Sequence, residues 1–175
     1  MRFTAAETVV RLRELRAVVA VAESLTAGLL TDELARIPGA SDVLRGGVVA
    51  YASAVKARVL EVDEALLDSG GAVQAEVARQ MVGGICRLMG ADYGIATTGV
   101  AGPGPDDGHA AGTVFVAAGR PDAPRVRQLQ LSGPREAVRH TSVAAALALL
   151  SSVLEDVPRE RDHSWEQPRD ERSYH

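Results

Sequence analysis

The chain has 175 residues, of which 46% are hydrophobic and only 3% aromatic, with a formal net charge of −4. That length favours one domain with room for a core, and a core poor in rings must be built from Ala, Val, Leu and Ile, the usual filling of an α/β protein. The acidic balance argues against a nucleic-acid binder, a single cysteine (Cys86) rules out an intrachain disulfide or a thiolate zinc cluster, and no apolar run is long enough to span a bilayer.

In chain order, Val9, Leu12 and Leu15 space an amphipathic helix. Val18–Ala22 reads as a buried strand and Leu25–Ile37 as a helix stopped by Pro38-Gly39. Gly46–Tyr51 reads as a second strand, Ser53–Leu60 as a short helix, and Asp63–Leu67 as a further short segment before Gly70-Gly71 breaks the chain. Glu76–Met89 carries helical periodicity, and Tyr93–Thr97 is a third strand. A Gly/Pro-rich loop, Thr98–Gly108, follows; loops of that length are usually functional or mobile. Thr113–Ala118 and Val126–Leu131 read as two strands joined by a turn, an antiparallel pair that makes the sheet mixed. Arg135–Leu154 is a long last helix, and the charged stretch from Val157 reads as a disordered tail behind a single domain of residues 1–156.

The chemistry concentrates where strands end. Ser24 follows the first strand directly, at the edge where open α/β sheets bind ligands. It is expected to cap the following helix, to hold an anion, or to act as a nucleophile. The surroundings are not the G-x-S-x-G elbow of the hydrolases. Lys56 is the one lysine among 19 basic side chains, which points to a need for an amine whose pKa can shift; a compositional bias toward arginine is the competing explanation. Tyr51 lies at the same edge as Ser24, either as a core ring with its hydroxyl satisfied or as a ligand contact. The Thr97–Pro103 turn offers hydroxyls, N–H groups and glycines suited to phosphate without the ending of a P-loop. Asp106, Asp107 and His109 lack metal-ligand spacing, so no metal and no cofactor are expected. His140 stands beside Arg139 on the last helix and could face either way; His163 and His175 fall in the tail.

Together these stretches resemble the CinA C-terminal domain family, whose enzymatic members are nicotinamide-nucleotide amidases. The resemblance runs from about Thr8 to Leu154. It rests on Ala22-Glu23-Ser24-Leu25-Thr26-Ala27-Gly28, on Gly46-Gly47-Val48-Val49-Ala50-Tyr51 with Lys56 behind it, on Gly71-Ala72-Val73-Gln74, on Thr98-Gly99-Val100-Ala101-Gly102-Pro103, and on Gly112-Thr113-Val114. The chain departs from the family pattern at Leu25 (usually Cys), Ala27 (usually Gly), Gln74 (usually Ser), Ala52-Ser53 (commonly Ser-Asn) and in a shorter loop after Pro103. These changes alter the rim of the pocket.

The resemblance implies a three-layer α/β/α sandwich around a mixed, mostly parallel sheet, in a stand-alone cytoplasmic form that assembles as a homo-oligomer. It implies hydrolysis of nicotinamide mononucleotide to nicotinic acid mononucleotide and ammonia, with Ser24 as nucleophile, Lys56 as base, and Tyr51 orienting Lys56 or touching the ring. Substrate contacts are then expected from Glu23, Thr26, Ala27, Gly28, Gly47, Thr98, Gly99, Gly102 and Arg139. Of these, the N–H groups of Thr26 to Gly28 are candidates for the oxyanion, Thr98, Gly99 and Gly102 for ribose or phosphate, and Arg139 for a charged partner. Glu23 is expected to orient Ser24 or to receive hydrogen bonds from the loop. Neither nucleic acid nor membrane is an expected partner. The alternative classes are a non-catalytic nucleotide sensor and a structural assembly domain.

Overall fold

The computed structural model describes residues 5–158; the expected tail from Val157 lies almost wholly outside them. Val19, Val21, Ile95, Val114 and Val116 are buried to one side of a sheet, and Ala20, Ala22, Ala96 and Ala117 to the other. Residues alternate faces along a strand, and both faces here carry helices, so the central strands read as unbroken apolar runs.

The described residues form five strands, β1 (Val19–Glu23), β2 (Leu44–Val49), β3 (Tyr93–Gly99), β4 (Thr113–Gly119) and β5 (Arg125–Gln130), in the order β2-β1-β3-β4-β5. β1 pairs parallel with β2 and β3, and β4 is antiparallel to both β3 and β5. Only β4 runs against the others, so the sheet is mixed with four strands pointing one way. The valine face is covered by α1 (Ala5–Glu14), α2 (Leu29–Ala35) and α6 (Arg135–Glu155); the alanine face is covered by α3 (Ser53–Leu60), α4 (Glu64–Gly70) and α5 (Ala75–Met89). α6 is long and apolar enough to cross a membrane by composition. Its Val138, Ala146, Leu147, Leu150 and Leu154 are instead buried against the sheet and α1, and fully burying a leucine contributes about 2 kcal/mol.

Of the element boundaries that differ from the sequence reading, two matter for the site. The helix expected from Leu25 begins at Leu29, because Leu25–Gly28 form a turn in which Ala27 has φ 48° and Gly28 φ 98°. The second strand is shifted toward the N-terminus. Leu44 already pairs with Val19, and the strand stops at Val49.

Candidate active site

The strand ends coincide. Glu23 is in register with Val49 on one side and Thr97 on the other, so the residues that follow β1, β2 and β3 emerge at one edge. β1 is followed in sequence by its neighbour on one flank and, after three helices, β3 lies on the other. That is a topological switch point, where a crevice opens beyond the carboxyl ends of the strands. β4 starts at the same edge, since Gly99 faces Val114, and the 100–112 loop therefore hangs over it.

Strand alternation sends Glu23 and Ser24 in opposite directions. Glu23 follows Val19 and Val21 under α2 and is fully buried. Its carboxylate accepts from Gly28 N–H (3.0 Å), Leu30 N–H (3.0 Å), Thr31 N–H (2.9 Å) and the Thr31 hydroxyl (2.6 Å). The N-cap of α2 is Gly28, which has no side chain to offer, so Glu23 supplies the acceptors that the first turn lacks. Ser24 does not cap this helix.

Ser24 follows Ala20 and Ala22 toward α3. Its own N–H donates to Thr97 O (3.0 Å), and Ala50 N–H donates to Glu23 O (2.8 Å). Both flanks of Ser24 are thus held by neighbouring chain. On α3, Lys56 is 1% exposed. Its Nζ lies 3.0 Å from Ser24 Oγ, 2.8 Å from Ala50 O and 3.1 Å from Tyr51 O. A neutral amine has two hydrogens and one lone pair. Two carbonyls take the hydrogens, which leaves the lone pair for the proton of Ser24. Burial lowers the Lys56 pKa from 10.5 to about 8, partly opposed by the negative charge of Asp107.

Ser24 and Lys56 open into a cleft of about 420 Å³, walled by Thr98, Gly99, Gly102, Asp107 and Arg135 among others. This is within the range of small-ligand sites. A larger cleft of about 630 Å³ between α1 and the end of α6 is lined by Glu7, Thr8, Arg11, Glu14 and Ser151 among others, with the Thr8 and Ser151 hydroxyls 3.0 Å apart.

The other expected site residues divide. Thr98 is buried and gives its hydroxyl to Ala72 O (2.8 Å), while Gly99 and Gly102 line the cleft beside it. Tyr51 is not a core ring, and it lines the cleft with Ser24. It is 56% exposed, its carbonyl holds Lys56, and its hydroxyl accepts from Arg135 (2.8 Å).

Six expected substrate contacts are turned to other uses. Glu23 and the Gly28 N–H satisfy each other, and the Ala27 N–H is spent on Ser24 O (3.1 Å). The Thr26 hydroxyl pairs with that of Thr97 (2.8 Å). Gly47 is a packing glycine, because a Cβ there would collide with Thr31. Arg139 donates to Leu25 O (3.0 Å) and Thr26 O (3.1 Å), bracing the loop from behind. The cation that reaches the cleft is Arg135, one turn earlier, which donates to Gly102 O (2.9 Å) and the Tyr51 hydroxyl. The only signal for it in the sequence was its place as the first residue of α6 after Pro134. His140 faces outward beside Glu136. Among the described residues, no group of His, Cys, Asp or Glu is arranged to hold a metal.

Fold and site together define a class: three-layer α/β/α sandwiches with a buried lysine on a serine hydroxyl at the switch point. Residues 2–154 match the CinA C-terminal domain, and the chain belongs to that family. It is 45% identical over 142 residues to the CinA-like protein of Frankia casuarinae, covering 81% of this chain and 33% of that protein. It is 40% identical over 137 residues to the CinA-like protein of Desulfotalea psychrophila, covering 78% and 33%. The chain thus spans about a third of the length of these curated relatives. Among solved structures, competence damage-inducible protein A from Klebsiella pneumoniae superposes with a TM-score of 0.83 at 31% identity, covering 89% of this chain and 100% of that one. The competence/damage inducible protein CihA from Agrobacterium tumefaciens gives 0.81 at 30% identity, with 85% and 92% covered.

Proposed function

We propose that the chain hydrolyses a carboxamide through a seryl ester, and that its substrate is nicotinamide mononucleotide. The observation that carries the reaction class is the Lys56 amine, held by two carbonyls with its third position on Ser24 Oγ. The substrate comes from the family resemblance, and the cleft has the size and polarity for a mononucleotide.

In the scheme, neutral Lys56 takes the Ser24 proton as Oγ attacks the carboxamide carbon. The carbonyl oxygen becomes an oxyanion. The N–H groups of Ala27 and Gly28 are committed, whereas those of Leu25 and Thr26 carry no hydrogen bond among the described residues, and of these two residues Leu25 lines the cleft. Leu25 N–H is therefore the donor assigned to the oxyanion; losing one such donor typically costs about 3 kcal/mol. The C–N bond then breaks, the Lys56 ammonium returns its proton to the leaving nitrogen, and ammonia departs. Water, deprotonated by Lys56, cleaves the Ser24 ester and releases the acid. Arg135 is placed to meet the phosphate, with Thr98, Gly99 and Gly102 beside the ribose. The scheme uses no metal or cofactor. A cytoplasmic homo-oligomer belongs to the same reading.

Ammonia release from nicotinamide mononucleotide tests it. Wild type should turn over, and Ser24→Ala and Lys56→Met should each abolish release while keeping a wild-type circular-dichroism spectrum. Near-normal turnover in either variant overturns the roles given. Tight binding by wild type with no turnover would make the domain a nucleotide sensor.

A further inference from the structure

The acidic wall of the cleft is built, not incidental. Asp107 sits in the 100–112 loop with φ 54°, a left-handed conformation that aspartate tolerates better than most residues. Its Oδ2 accepts the Ala72 N–H. The carbonyl of the same residue accepts the Thr98 hydroxyl, and the Gly71 carbonyl accepts from Gln74 Nε2 (2.7 Å). Gly71 has φ 73°, and any Cβ there would strike the Asp107 carboxylate. The turn before α5 is thus shaped as a seat for this one side chain. The second carboxylate oxygen, Oδ1, carries no hydrogen bond among the described residues. Asp107 lines the same cleft as Ser24 and acts electrostatically on Lys56.

A charge balance follows. When Lys56 is neutral and ready to act as base, it no longer offsets Asp107. Arg135 is the other lysine or arginine lining the cleft, and its hydrogen bonds go to the neutral Gly102 carbonyl and Tyr51 hydroxyl at the rim. Asp106 lines the cleft as well, its Oδ1 accepting the Asp107 N–H (2.9 Å). The working cleft therefore holds two carboxylates, of which Asp107 is the one anchored to the Ala72 turn and acting on Lys56, and no cation matched to it.

We propose that Asp107 is a specificity residue, whose anchored carboxylate selects amides borne on a cationic ring over the same amide on a neutral ring. The inference rests on the amidase reading and narrows it. In nicotinamide mononucleotide the positive charge lies on the pyridinium ring that bears the carboxamide, formally at N1, meta to it. Reduction to the dihydropyridine removes that charge and leaves the amide, ribose and phosphate in place. Opposite charges about 5 Å apart, in a medium between bulk water and protein, favour the cationic ring about tenfold.

The test is calorimetric, in a Ser24→Ala background so that neither nucleotide is consumed. Oxidised nicotinamide mononucleotide should bind about tenfold more tightly than its reduced form. Adding Asp107→Asn should lower the ratio severalfold, because the side-chain amide oxygen can still accept the Ala72 N–H while the anchored charge is gone and only the Asp106 carboxylate remains. The ratio is insensitive to phosphate binding, which both ligands share. Raising salt from about 50 mM to about 500 mM should compress the ratio with Asp107 in place, which gives a reading independent of the substitution. A ratio unchanged by Asp107→Asn, whatever salt does to it, overturns the role of Asp107 and leaves the amidase reading standing. Failure of either nucleotide to bind overturns the substrate reading, and this inference with it.

Discussion

Burying the amine of Lys56 has a consequence for stability that can be measured without any substrate. Lowering its pKa from 10.5 to about 8 corresponds to about 3 kcal/mol, at about 1.36 kcal/mol per tenfold change in proton affinity. Below pH 8 the amine is protonated both in the folded protein and in the unfolded chain, and the folded state bears the cost of a buried charge. Between pH 8 and 10.5 the unfolded chain keeps its proton while the folded protein has lost it, so stability rises with pH through that window. Above 10.5 both forms are neutral and the gain is complete. Lys56→Met removes the titrating group and replaces it with an apolar chain of similar length. Urea unfolding of both proteins between about pH 7 and pH 11, with the variant curve subtracted, isolates Lys56 from every other titrating group. The difference should move by about 3 kcal/mol in favour of wild type as pH rises, mostly between pH 8 and 10.5. A difference that stays flat, or that moves the opposite way, refutes the argument that the amine is desolvated.

Three further outcomes follow from the loop after Ser24 and from the rim of the cleft. Glu23→Ala leaves the N–H groups of Gly28, Leu30 and Thr31 without their acceptor; chemical denaturation should show a loss of at least about 3 kcal/mol, given about 1–3 kcal/mol per stranded buried donor. Ala27 sits at φ 48°, where a Cβ costs about 1 kcal/mol, so Ala27→Gly should raise stability by up to about that amount with ammonia release preserved. Arg135→Ala should raise KM for nicotinamide mononucleotide about tenfold or more with a smaller effect on kcat, as expected for a charged contact made equally in ground and transition states; an unchanged KM would remove Arg135 from the phosphate.

How much of this could be read from the sequence depended on whether the signal was local. Val18–Ala22 and Tyr93–Thr97 are dense apolar runs, and the strands they announce are present with small shifts at the ends. Ser24 and Lys56 stood out because one interrupts such a run and the other is a lone lysine, and both features survive without tertiary information. Parity along β1 also carried information: Glu23 and Ser24 had to face opposite layers, which already argued against both touching one ligand. What failed depended on long-range partners. Nothing near Arg139 reveals that its guanidinium is taken up by carbonyls 113 and 114 residues earlier, nor that Arg135 is the residue left to face the cleft. Gly46-Gly47 read as a strand start because glycine marks boundaries, whereas Gly47 lies mid-strand to admit Thr31. Tyr51 looked like the end of a strand because it follows Val48-Val49-Ala50, but the chain turns there to aim two carbonyls at Lys56.

The composition offers a direct view of the reacting amine. Lys56 is the only lysine in the chain, so protein labelled with 15N at the lysine side chain gives one Nζ signal without assignment. Followed by NMR from about pH 5 to pH 11, that signal should titrate with a midpoint near 8. The acidic limb of the kcat/KM profile for ammonia release should fall at the same pH. A midpoint at or above 10 would mean a solvated, permanently charged amine unable to take a proton from Ser24, and would contradict the mechanism at its first step.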